Sequence, residues 1–298
     1  MAAEGAAVGG SGAEGGFVDW VYANSPWVVI PVFLGAAVGA SSFCLWLRYR
    51  VAFGEPGSGH GRLAEFIVTN IAVIYAVLLA FIAVATWESY GKASDLTLDE
   101  ATLAANLYRD AAAAPEPTRG AVQSGVVAYL TFVAGDGGGG GEWQAMRGRV
   151  PLDEKDGRCD PRAHPIACGW DILARIRIAV ATMAPDRDSP GEVVLMQQML
   201  RDLDALYIAR SSRIDAARNH IPALVWVVII ILGATTIGYA MFVEAPGVLS
   251  HMAMLAGLTV ATTLVVVLIV ELDFPFRGVI SVDPKAYTRS LADLQRGS

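Results

Sequence analysis

The sequence predicts an all-α membrane protein: four transmembrane helices in two pairs, with a helical hydrophilic domain inserted between the second and third. Three observations lead there. Of the 298 residues, 54% are hydrophobic and only 17% charged, against about 25% charged in an ordinary soluble domain. The apolar excess is concentrated in four stretches, 27–47, 66–87, 221–243 and 248–270, none of which contains Asp, Glu, Lys or Arg. A hydrocarbon core about 30 Å thick needs roughly 20 helical residues at 1.5 Å each, and all four stretches meet that length.

Residues 1–26 come first. Their first 16 positions are Met, Ala, Gly, Glu, Val and Ser, and no Lys or Arg precedes the first span. A secretory signal peptide needs a basic start, so this segment reads as a flexible lead-in. Pro26 suits the first turn of the helix that follows, and Pro31 is a bend point within it. The short loop 48–65 carries Arg48, Arg50, Arg62 and His60. By the positive-inside rule that loop is cytoplasmic, which places the 88–220 domain outside the membrane. The basic flanks Lys92, Arg210, Arg213, Arg218, Arg277, Lys285 and Arg289 argue the other way, but long translocated domains escape the rule.

The insert 88–220 has 15 basic and 19 acidic residues and is ordinary in composition. Its apolar residues recur at helical spacing over 93–114, 118–133, 170–183 and 192–218, with Pro115 and Pro117 ending the first. Gly137 to Gly141 form a surface loop. In the last helix Met196, Leu200, Leu203, Tyr207 and Ile214 form a coiled-coil-like seam, suited to packing on the insert's other helices or on a second subunit. Its other face, with Asp202, Asp204, Asp215, Arg201, Arg210, Arg213 and Arg218, reads as solvated. Both junctions read as continuous helices, with a kink expected at Pro222. Residues 271–298 are a C-terminal tail.

Topology puts the end of the second span, the start of the third and the end of the fourth on one membrane face. Glu88, Arg218, His220, Glu271, Asp273 and Arg277 therefore form an interfacial charged layer. Such a layer either anchors helix ends or, in a homo-oligomer, forms an ion-coordinating ring. Asn70 and Tyr75 are polar groups inside the second span, suited to helix packing or to lining a pore. Gly35, Gly39, Ala253, Gly257 and Ala261 offer close helix approach. His251 reads as a solvated residue at the opposite surface. Cys159 and Cys168, nine apart in a Pro-rich loop, are free thiols, a disulfide or, with His164, a poorly spaced metal site.

No ionisable group lies deep in a span, which argues against a proton relay. A net charge of −7 gives no attraction for nucleic acid. Phosphate-binding Gly loops, nucleophile elbows and paired metal-binding histidines are absent, so neither an enzyme nor a cofactor is expected.

One set of residues goes further. Trp87-Glu88-Ser89-Tyr90, Glu100-Ala101, Leu107-Tyr108-Arg109, Pro115-Glu116-Pro117-Thr118-Arg119, Glu142-Trp143, Pro222 to Trp226 and Asp273-Phe274-Pro275-Phe276-Arg277-Gly278, with Val282 and Pro284, stand in order along 28–292. This set resembles the bacterial bestrophin-like domain-of-unknown-function membrane proteins. The resemblance implies a multi-pass protein of a bacterial inner membrane, analogous to four-span proteins that assemble as anion channels. Its partners would be the bilayer, further copies of the chain and inorganic ions. Bestrophins place the intervening domain in the cytoplasm, opposite to the charge reading. A non-conducting envelope sensor or scaffold acting through the helical domain is the alternative.

Overall fold

The structure, a computed structural model, describes residues 20–22, 24–51, 58–135, 141–148, 159–184, 190–243 and 247–297. The lead-in 1–16, Glu244 and most of the glycine run 137–141 lie outside the described residues. The helices are α1 (Pro26–Val51), α2 (Ser58–Asp110), α3 (Thr118–Ala134), α4 (Glu142–Met146), α5 (Pro165–Ala181), α6 (Pro190–Arg218), α7 (Ala223–Ala240), α8 (Val248–Asp273) and α9 (Lys285–Gly297). A 3-10 turn, Ala111–Ala113, follows α2. Among the described residues there is no β-strand, only an isolated bridge between Asp160 and His164. Among the described residues, four helical stretches are long and apolar enough to cross a membrane.

The chain divides into two compact units. The first comprises Met1–Trp87, His220–Asp273 and Gly278–Ile280. Within it α1 packs along α8, and α7 against α8. Tyr75, Leu79, Ile229 and Ile269 form its buried cluster. Large apolar side chains such as Trp27, Phe66, Phe81 and Leu249 face outward. So much exposed apolar surface is costly in water and natural against lipid tails. The small-residue stripes do not mark the closest approaches. A Cβ at Gly35, Gly39 or Gly257 would meet nothing within 4 Å, whereas one at Gly233 would lie 2.8 Å from the Tyr75 hydroxyl.

The second unit comprises Glu88–Asn219, Phe274–Arg277 and Ser281–Ser298. Its apolar core, among the described residues, draws on α2, α3, α4, α5, α6 and α9. Helix α3 ends at Gly135, whose φ of +82° lets its N–H return to the Thr131 carbonyl at 3.1 Å, a left-handed cap that glycine favours.

Several elements differ from expectation. The described residues of the expected loop 48–65 are helical, because α1 runs to Val51 and α2 begins at Ser58. By contrast, helix α2 is continuous across the first junction, passing through Gly91 unbroken to Asp110, since one glycine costs only about 1 kcal/mol in a long helix. The junction at Pro222 is a break, with residues 219–222 non-helical. Proline lacks the N–H the ladder needs and pushes Ile221 out of helical geometry. The segment read as a C-terminal tail carries α9, which packs on α3.

Candidate functional site

The buried seam of α6 is Met199, Leu203, Leu206, Arg210, Arg213 and Ala217, a four-three alternation with arginine at two core positions. Arg210 and Arg213 are both 0% exposed, so the expectation that they belong to a solvated face is wrong. Their neutralisation explains the burial. Arg210 donates from Nη1 to Glu142 Oε2 at 2.5 Å and from Nη2 to the Ile166 carbonyl at 2.8 Å. Arg213 donates from Nε to Glu100 Oε2 and from Nη2 to Glu142 Oε1, each at 2.6 Å. The Tyr129 hydroxyl donates to Glu100 Oε1, also at 2.6 Å.

Two guanidiniums and two carboxylates cancel in charge, the condition for holding such groups in an apolar interior. The Arg210 guanidinium also lies over Trp170, 4.5 Å from the ring centroid, and Arg213 lies 5.8 Å from that of Tyr287. Glu100 comes from α2, Tyr129 from α3, Glu142 from α4, Trp170 from α5 and Tyr287 from α9. Burial raises both tyrosines well above the ordinary range, so Tyr129 remains a hydrogen donor. With both guanidiniums and both carboxylates fully buried, this arrangement is suited to fixing helices in register. Sequence periodicity missed it because Arg at a seam position reads as polar.

The expected interfacial residues are distributed between the units. In the first, Asp273 Oδ1 accepts from the Ile221 N–H at 2.6 Å, and Asp273 also interacts with the Trp226 indole and His220. Asp273 thus holds the chain just before α7. Glu271 is 5% exposed and accepts from the Val279 N–H, while the Tyr22 hydroxyl donates to the Val270 carbonyl. In the second unit Glu88 is exposed, and Arg218 is exposed and 3.9 Å from Asp215. Arg277 stacks on Phe274, 5.0 Å from its centroid.

Asn70 is exposed, and its Nδ2 donates to the Phe66 carbonyl one turn back at 2.7 Å. Tyr75, by contrast, is 4% exposed and packs into the first unit, so the two do not share a free face. Cys159 and Cys168 are joined by a disulfide, their Cα atoms 4.4 Å apart. Asp160 Oδ1 braces that loop by accepting from the N–H groups of Arg162 and Ala163. His251, expected at a solvated surface, is 4% exposed. Its Nδ1 lies 3.2 Å from the Tyr49 hydroxyl and its Nε2 3.2 Å from the Ala240 carbonyl. The second unit also carries an open groove of about 580 Å³ between α2 and the 281–293 segment, with Arg109, Lys285 and Arg289 on its walls.

Four helical stretches of membrane-crossing length among the described residues, in a fold whose first unit turns its large apolar side chains outward, define a multi-pass membrane protein. The chain belongs to the Bestrophin-like family, whose domain model matches residues 35–287. Its fold is similar to the crystal structure of a point-mutated bacterial bestrophin homologue from Klebsiella pneumoniae. The TM-score is 0.63 at 15% identity, over 89% of this chain and 98% of that one. A crystal structure of a second membrane protein gives 0.59 at 14% identity, with the same shares covered. At such identities the likeness is one of fold. No curated protein matches the sequence.

Proposed function

We propose that this protein is a homo-oligomeric, bestrophin-like ion channel of a bacterial inner membrane, with its conduction path lined by the first part of α2. The observation that carries this reading is one face of that helix. Phe66, Asn70, Ile74, Val77, Phe81 and Val84 recur every three or four residues and are all exposed. Tyr75 and Leu79 on the opposite face are buried against the first unit. Copies arranged about an axis would turn the exposed stripe inward, making an apolar constriction with Asn70 as its polar group. Apolar constrictions of this kind gate by wetting and dewetting.

Family membership supports this assignment, and the Klebsiella relative is itself a bestrophin homologue. In this reading Glu88, Arg218, His220, Glu271, Asp273 and Arg277 serve mainly to anchor helix ends, because Asp273 and Glu271 are already occupied by backbone N–H groups. The 88–220 domain lies outside the cytoplasm, supported by the Cys159–Cys168 disulfide, which suits an oxidising compartment. Single-channel recording of the purified protein in planar bilayers tests the proposal. Discrete openings are expected, with larger conductance in Phe81→Ala; silence across salts and voltages refutes it.

A further inference from the structure

Arg48 sits in the last turn of α1. Its guanidinium lies 5.0 Å from the ring centroid of Phe242 and 5.9 Å from that of Tyr49. Its Nη1 is buried and has no hydrogen-bond partner. Arg50 lies 5.4 Å over Trp46 and is exposed. Among the described residues no carboxylate pairs with either arginine. Helix-end arginines do favour the negative end of the helix dipole, but that attraction needs neither the aromatic stacking nor a desolvated, unpartnered N–H.

The surroundings are built to hold this geometry. His251 can accept from the Tyr49 hydroxyl at Nδ1 while donating from Nε2 to the Ala240 carbonyl. That tautomer satisfies both contacts and ties the ends of α1 and α7 to the first turn of α8. Tyr49 is thereby positioned beside Arg48. A guanidinium stacked on rings keeps its donors at the planar edge, in a fork that matches two oxygens of a phosphate. The positive end of the α8 dipole lies in the same cluster. All of these groups stand at span ends, at the depth where lipid headgroups lie.

We propose that Arg48, held by Phe242 and Tyr49, is a binding site for the phosphate of an anionic phospholipid, with Arg50 as a flanking charge. A zwitterionic headgroup brings its own ammonium, which the two arginines repel. The shared chemistry is a phosphate oxyanion, so the experiment must separate lipid from free phosphate.

Native mass spectrometry of the purified full-length chain in detergent does this, with added phosphatidylglycerol, phosphatidylcholine or inorganic phosphate. The expected result is preferential retention of phosphatidylglycerol by about tenfold, the scale of a charge-assisted bidentate contact. Arg48→Gln abolishes the preference. Arg48→Lys loses most of it despite keeping the charge, and carries the test if Arg48→Gln fails to fold. Arg50→Gln has the smaller effect. Equal retention of both lipids by the unaltered protein overturns the proposal. So does full preference in Arg48→Lys, or equal losses in Arg50→Gln and Arg48→Gln, because either means attraction by net charge alone. Occupation by inorganic phosphate that excludes the lipid overturns the lipid assignment.

Discussion

Arg210 and Arg213 on α6 are each neutralised by a carboxylate from another helix, so removing one group leaves its counter-charge inside an apolar core. Arg213→Met strands Glu100, and the cost expected for breaking a buried pair is about 3–5 kcal/mol. Denaturant unfolding of the purified chain should show that loss, and adding Glu100→Gln should restore part of it. Gly169 belongs to the same arrangement, since a Cβ there would lie 2.3 Å from Arg210 Nη2. Asp202 makes a prediction of the opposite sign. Burial, then hydrogen bonding to and repulsion from Asp110, raise its pKa to about 6 from an ordinary 3.8. The folded chain therefore holds this proton more tightly than the unfolded one. The stability it contributes is complete below about pH 4 and is lost as the pH rises through about 6. Asp202→Asn should thus gain stability over the unaltered protein between pH 4 and 6 and hold that gain at pH 7, read as the difference in Tm. Neither role is visible in a linear sequence: Glu100 and Arg213 are 113 positions apart, and nothing local marks them as partners.

At the scale of the element, α6 separates what periodicity detects from what it mislocates. Leu203 and Ile214 of the expected seam are buried, while Met196, Leu200 and Tyr207 are only partly so. The seam is rotated because Arg210 and Arg213 occupy it, and a hydrophobic pattern cannot count a paired arginine as core. The register makes a direct test. Leu203 is 0% exposed and Ile208 67% exposed. Leu203→Ala should cost about 2–5 kcal/mol, whereas Ile208→Ala should stay within about 0.5 kcal/mol, measured by the same denaturation. Helix α4, five residues long, is too short to show a period at all. In α9 the buried Tyr287, Leu291 and Leu294 do carry a four-three spacing. That signal was present in the sequence, but the segment lies beyond the last apolar span and reads as a tail. Pro222 marks the break before α7 locally, but the contact that holds it, from the Ile221 N–H to Asp273, spans 52 positions.

For the whole molecule, the four spans were readable because hydrocarbon thickness imposes a length and forbids unpaired charge, and both constraints are written locally in the chain. Sidedness has no such local signature. Arg48, Arg50 and Arg62 beside the first span argue for one orientation, while Arg213, Arg218 and Arg277 beside the insert argue for the other. Burial removes Arg213 from that second set, since a guanidinium held by Glu100 and Glu142 is neutralised within the domain and is a poor topological signal. The disulfide adds an independent argument, because a bond between Cys159 and Cys168 persists in an oxidising compartment and is reduced in the cytosol. Thiol labelling of intact cells expressing Cys44→Ser tests the orientation, because that background removes the one free cysteine, exposed on α1. A membrane-impermeant maleimide should label the protein only after treatment with an impermeant reductant, and substituting both Cys159 and Cys168 by Ser should abolish the label. Labelling that appears only once the cells are permeabilised would place the 88–220 domain in the cytoplasm. The disulfide would then not be its resting state there, and the basic flanks would have outweighed the first loop.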